Sequence, residues 1–251
     1  HTRYWRDWSS DVCSSDLHHH PTGRDVHVPR RRRGPDAGRA AHPAGLDHPP
    51  RPAHLAGRGG ELGERVLHGE VAELVVGDAH DGLARGEVLL KALIDHDDWL
   101  PVAFTVPSTE GYRQYLLYCD PLERFSVVSF VWGPGQNTPI HDHQVWGLIG
   151  VLRGAEQCDE YTQSNSTLTA CGSHRINPGE IDKVSPTLGD IHVVSNAYTD
   201  RASISIHVYG GNIGAVRRHV FDPVTGAPRT FISGYHNSVM PNLWDRSKET
   251  P

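Results

Sequence analysis

The stretch PIHDHQVWG, residues 139–147, sets two histidines one residue apart. Alternate side chains of an extended chain point to the same side. If this stretch is a strand, His141 and His143 share a face and their imidazoles can hold one metal ion. Asp142 then faces the other way and reads as structural. An isolated H-x-H is a weak signal, because packing or surface exposure explains it as well. Here it sits in a glycine frame: five residues separate Gly135 from His141, three separate His143 from Gly147, and six separate Gly147 from Gly154. A third histidine, His192, lies in GDIHVVSN. Three neutral imidazoles would leave the whole charge of a divalent ion on the metal, whereas a carboxylate ligand would cancel part of it. Imidazole suits iron, zinc, copper and nickel, so the ligand type does not choose the metal.

A second constellation lies in SISIHVYGG. Strict alternation puts Ser205, His207 and Tyr209 on one face of a strand and Ile204, Ile206 and Val208 on the other. Hydroxyl, imidazole and phenol in series can form a hydrogen-bonded relay that fixes the imidazole tautomer and aims the phenol. An amphipathic strand with one face in water is the other reading of the same pattern.

The elements that must carry these residues are short and β-rich. RQYLLYCD, FSVVSFVWG, VWGLIGVL, ASISIHVYGG and RTFISGY are separated by Gly, Pro, Asn and Asp turn signals. Before them, GEVLLKALI reads as a helix, and few helical periods follow Leu100. The fold class expected is mostly β, a sandwich or small barrel with a few N-terminal helices. About 150 residues suffice for one such core.

The first third of the chain has another texture. Residues 18–90 contain no Ser, Gln, Asn, Lys, Ile, Met, Phe, Tyr, Trp or Cys. Nearly all have codons beginning with G or C, as an out-of-frame reading of a GC-rich gene would give. The opening RYWRDWSSDVCSSDL resembles a recurrent sequencing-adapter artefact. Residues 1–80 are therefore read as non-native sequence or as a disordered arm. The HHH and RRRR runs within it are not read as metal or nucleic-acid sites. Residues 81–245 form the expected domain, and 246–251 a tail. The formal charge of −6 argues against a general nucleic-acid or membrane-surface binder. No apolar run reaches the roughly 18–20 residues of a membrane-spanning helix, and no secretory signal opens the chain. The four cysteines form no C-x-x-C pair or dense framework, which suits a reducing cytoplasm.

The glycine frame with His141 and His143 resembles the first cupin motif, with Gly147 standing where that motif has a glutamate ligand. Gly189-x2-His192-x3-Asn196 resembles the end of the second motif, with Pro186 one residue out of register. Adding Ser205-x-His207-x-Tyr209, thirteen residues after His192, the chain from about Glu87 to Asp245 resembles the thiol dioxygenases of the cupin superfamily, which include cysteine dioxygenase. The resemblance implies a single double-stranded β-helix barrel. It implies Fe(II) on His141, His143 and His192, with Ser205, His207 and Tyr209 as the relay. The reaction it implies is oxidation of a small thiol to its sulfinate by dioxygen. It also implies a monomer without nucleic-acid or membrane partners.

Two features bear on which thiol. Mammalian-type members carry an arginine in a Tyr-x-Arg segment; here Tyr112-Arg113-Gln114 places Gln114 at that position. Bacterial members with glutamine there resemble 3-mercaptopropionate dioxygenases, in which an arginine after the relay tyrosine holds the carboxylate. GAVRRHV offers Arg217 and Arg218, and the spacing favours Arg218. A solvated surface pair is the other reading. The cysteine that crosslinks to tyrosine in mammalian-type members would fall at or next to Gly147, and no cysteine stands there, so no crosslink to Tyr209 is expected. Cysteine oxidation is the alternative activity. From other classes stand a cupin isomerase or another metal oxygenase, a metal-free ligand-binding cupin, and an inactive product of a faulty gene model.

Overall fold

A computed structural model describes residues 79–165 and 167–237, with Gly63 and Arg65. The segment 1–80 lies almost wholly outside the described residues, and the tail 246–251 lies entirely outside them.

One α-helix, α1, spans Ala79–Ile94. Leu83, Gly86, Leu90 and Leu93 recur every three or four residues and form one face. Leu90 and Leu93 are buried. A Cβ on Gly86 would come within 2.9 Å of the Leu148 side chain, so the missing side chain lets the helix lie close to the sheet. The Trp99 indole donates to the carbonyls of Leu93 (3.0 Å) and His96 (3.1 Å), closing the helix end. A short 3-10 turn follows at Val102–Phe104.

Among the described residues ten strands come next: β1 Arg113–Cys119, β2 Ser126–Trp132, β3 Gly147–Arg153, β4 Glu156–Ser164, β5 Thr167–Ile176, β6 Ile181–Val184, β7 Ile191–Asn196, β8 Ser203–Tyr209, β9 Arg218–Phe221 and β10 Pro228–Phe231. One antiparallel sheet has the order β1-β2-β8-β3-β6. The other side is built from β5-β4-β7 and from β9-β10. His141 joins these two pieces, because its backbone bridges His192 on β7 and Val220 on β9. The result is the mostly β barrel of antiparallel strands expected from the sequence.

Alternation sorts the residues of the first sheet into two cores. Val127, Val131, Leu148, Leu152, Ile204, Ile206 and Val208 pack with Leu90, Leu93 and Ile94 of α1. The opposite face looks into the barrel with Leu116, Val128, Phe130, Trp132 and Tyr209. All seven residues of β8 are buried, since β2 and β3 flank it and both its faces are covered. The alternating SISIHVY strand therefore has no water-facing side.

The H-x-H segment is not part of a regular strand. It is an extended stretch held by single bridges at Asn137 and His141. Pro139 has no N–H to give a ladder, and Gln144 has φ 61°, which ends the extension. No helix among the described residues is long and apolar enough to cross a membrane.

Candidate metal centre

His141, His143 and His192 converge inside the barrel, with one ligand atom from each lying within 4.8 Å of the others. Their ring centroids stand 4.8–4.9 Å apart. In each ring Nδ1 already has a neighbour. His141 Nδ1 lies 3.1 Å from the Pro139 carbonyl, His143 Nδ1 lies 3.0 Å from Asp190 Oδ1, and His192 Nδ1 lies 3.4 Å from Cys158 Sγ. Nε2 of each ring is the atom left for a metal. Burial, with the neighbouring histidines adding to it, holds His141 and His192 well below the usual imidazole range. Both are neutral donors at neutral pH. Three imidazoles whose Nδ1 atoms are engaged by other groups form a donor set that fits a divalent transition metal.

Asp190 explains how the two motifs cooperate. Its carboxylate accepts from His143 Nδ1 and from the backbone N–H of His143 (3.1 Å) and Gln144 (3.0 Å). The GDIH segment thus supplies one candidate ligand and orients another. The sequence reading missed Asp190, although its place two residues before His192 was a signal. Asp142 points away from the centre. It accepts from the backbone and ring of His219 at 2.7 and 2.8 Å and from Gln144 at 2.7 Å, pinning the H-x-H segment to β9.

Ser205, His207 and Tyr209 lie in line on the inner face of β8. Ser205 Oγ is 2.7 Å from His207 Nε2, and His207 Nδ1 is 2.8 Å from the Tyr209 hydroxyl. The Phe130 ring stacks on the imidazole at 4.2 Å, and burial holds His207 neutral. Burial likewise raises the Tyr209 phenol, so it keeps its proton. A neutral imidazole has one donor and one acceptor nitrogen. The relay therefore runs in one direction at a time, and reversing it changes whether the phenol O–H is engaged or free.

Gly147 sits against Tyr209. A Cβ there would lie 2.8 Å from Cδ1 and Cε1 of the phenol ring and 2.9 Å from Val184. The missing side chain at Gly147 is what makes room for the tyrosine.

At the far end of the relay lies Glu156, a residue the sequence reading passed over. It is completely buried, and neither carboxylate oxygen completes a hydrogen bond. Burial pushes its carboxyl up to about 7, against the opposing influence of Ser205 and the Trp132 indole beside it. The Trp132 N–H also donates to Ser205 Oγ at 3.3 Å.

The two arginines of GAVRRHV part company. Arg217 is exposed and Arg218 is buried. Arg218 Nη2 donates to Ser233 Oγ at 2.6 Å, its guanidinium lies over Phe231, and its Nε has no hydrogen-bond partner. None of the ion pairs among the described residues includes it. Its charge is felt at both Tyr209 and His141. Gln114, also buried, donates from Nε2 to the Gly234 carbonyl (2.9 Å) and Ser233 Oγ (3.3 Å). Arg113 faces outward to Ser108 and Glu110. Ser233, which joins Gln114 to Arg218, had no signature in the sequence. Cys119 and Cys158 are buried and Cys171 is exposed.

No family model matches the chain. Solved structures similar to part of it include an oxalate oxidase in complex with glycolate, at 16% identity and TM-score 0.35, covering 41% of this chain and 53% of that one. Another is a cupin-superfamily protein from Desulfitobacterium hafniense, at 13% identity and TM-score 0.34, covering 45% and 91%. A protein with a double-stranded β-helix domain from Klebsiella pneumoniae has 23% identity and TM-score 0.34, covering 47% and 95%. The chain thus spans about half the length of the oxalate oxidase it matches. Its own strand pairing gives the fold class, a mostly β barrel of antiparallel strands around three converging histidines.

Proposed function

We propose that this chain is a non-haem Fe(II) thiol dioxygenase that converts a small thiol carboxylate to its sulfinate, with 3-mercaptopropionate favoured over cysteine. The reaction adds both atoms of dioxygen to sulfur: R–SH and O2 give R–SO2H, with sulfur oxidised by four electrons and dioxygen reduced by four. The observation that carries this reading is buried Arg218, with an unpartnered Nε and a charge felt at Tyr209 and His141. A guanidinium stays charged in a protein. Buried without an anionic partner, it is costly until an anion joins it. A carboxylate matches its fork with two parallel bonds.

The Nε2 atoms of His141, His143 and His192 would hold the iron, which when bound supplies a redox-active Lewis acid for thiolate and dioxygen. Arg218, supported by Ser233, fixes the carboxylate end of the substrate and so limits the positions its sulfur can reach. The Tyr209 hydroxyl, positioned by His207 and Ser205, offers a donor or acceptor at the reacting end. Gln114 holds the Ser233-Gly234 segment in place and leaves Arg218 as the cation for the substrate. Glu156, next to Ser205, can hold a proton at the inner end of the relay.

Oxygen uptake by the Fe(II)-loaded full chain, with 3-mercaptopropionate and cysteine offered separately and the product identified, tests the reading. Faster turnover of 3-mercaptopropionate to its sulfinate is expected. A preference for cysteine overturns the substrate assignment. No uptake with either thiol, from folded iron-loaded protein, overturns the activity and favours a ligand-binding barrel.

A further inference from the structure

We infer that Cys158, His174 and Asp182 form a second metal site, built for zinc(II) and separate from the three-histidine group. One ligand atom from each of these residues lies within 4.8 Å of the others. Cys158 and His174 are direct partners in the β4–β5 ladder. Asp182 comes from β6, across the barrel, where it pairs with Ile149 of β3. His174 Nε2 stands 3.3 Å from Asp182 Oδ2. The cluster therefore joins the two sides of the barrel.

Its chemistry differs from that of the histidine centre. A thiolate and a carboxylate carry two negative charges, which neutralise a divalent ion in a partly buried place. Thiolate with imidazole and carboxylate is a zinc donor set, and three protein ligands leave a fourth position for water. Cys158 is 1% exposed, while the His174 and Asp182 side chains are 39% and 18% exposed. The cluster thus has a closed sulfur end and an open end through which an ion and a water can enter. On binding, the Cys158 thiol gives its proton to solvent and its sulfur bonds to the metal, with no change of oxidation state.

The two centres touch through one contact, Cys158 Sγ to His192 Nδ1 at 3.4 Å. A metal-held thiolate is an acceptor only, so it fixes His192 as the Nδ1–H tautomer. Nε2 is then the free donor for the first centre. This second site is a positioning device for the first as well as a clip between the sheets.

Cobalt(II) titration of the metal-free full chain distinguishes the two centres, because a sulfur-to-cobalt charge-transfer band requires a cysteine ligand. The expected result is such a band at one equivalent, two zinc equivalents by equilibrium dialysis, and loss of the band in Cys158→Ser. Asp182→Asn and His174→Ala, at partly exposed side chains, should each weaken cobalt binding at the band by at least about tenfold. His143→Ala should keep the band and lose only the other equivalent. A wild-type protein without the band, a band that survives Cys158→Ser, unchanged affinity in both Asp182→Asn and His174→Ala, or loss of the band in His143→Ala each overturns the site.

Discussion

Arg218 and Ser233 are joined by a 2.6 Å hydrogen bond from Nη2 to Oγ, although Ser233 lies on the segment after β10 and Arg218 opens β9. Gln114 Nε2 reaches the same hydroxyl. Ser233 therefore fixes the direction of the buried guanidinium. A hydrogen bond to a charged group contributes about 1.5–3 kcal/mol. Ser233→Ala should raise KM for a thiol carboxylate roughly tenfold while kcat changes little. Arg218→Lys should be worse, because an ammonium has no planar fork. Steady-state oxygen uptake measures both. An unchanged KM in Arg218→Lys would remove this arginine from substrate binding.

Asp190 should control metal affinity without touching the metal. Asp190→Asn replaces a charged acceptor of the His143 Nδ1–H by a neutral amide. Metal affinity at the three-histidine centre should fall about 10–100-fold, read by competition with a chelator. Affinity equal to wild type would show that His143 is oriented by packing alone.

Gly147→Ala should disturb Tyr209 specifically. The new methyl would meet the ring at 2.8 Å, in a fully buried place. Overpacking of this kind costs about 1–3 kcal/mol. Chemical denaturation should show that loss, and turnover should fall because the phenol leaves its 2.8 Å contact with His207. Wild-type stability and turnover together would refute the close approach.

Glu156 gives stability a pH dependence of definite sign. Its carboxyl is raised from 4.5 to about 7 by burial. Between those values the unfolded chain has released this proton and the folded chain has kept it, so stability falls as pH rises. The contribution is whole below about 4.5 and is lost progressively as pH rises through about 7. The shift corresponds to about 3 kcal/mol across the window. Glu156→Gln, neutral throughout, should flatten this part of the stability profile. Parallel profiles for the two proteins would show that the carboxyl does not titrate there.

Loss of His192 should empty the first centre. His192→Ala removes one of three donors and the link to Cys158, so iron binding and thiol oxidation should both disappear. Retention of stoichiometric iron and full activity would exclude His192 as a ligand.

The sequence by itself determined much of the inner surface of the barrel. Period-two alternation is a local property, so Ser205, His207 and Tyr209 could be set on one face from spacing alone. The runs of β-branched and aromatic residues likewise marked β1, β2, β3 and β8. Strands β4 and β5 were not legible, because EQCDEYTQS and TLTACGSHRI are too polar to signal strand by hydrophobicity. They are held by pairing with each other, and β4 also by pairing with β7. The H-x-H spacing brought two histidines together in the right order but for a different local reason, since the segment is extended by bridges to β7 and β9 and not by its own strand. Only the tertiary structure decided that β8 is covered on both faces, that Arg218 is buried while Arg217 is exposed, and that Ser233, Asp190, Glu156 and Cys158 adjoin the site. Each of these depends on contacts between residues far apart in the chain. Burial and electrostatic pairing at that range are set by how the sheets close, which no local spacing encodes.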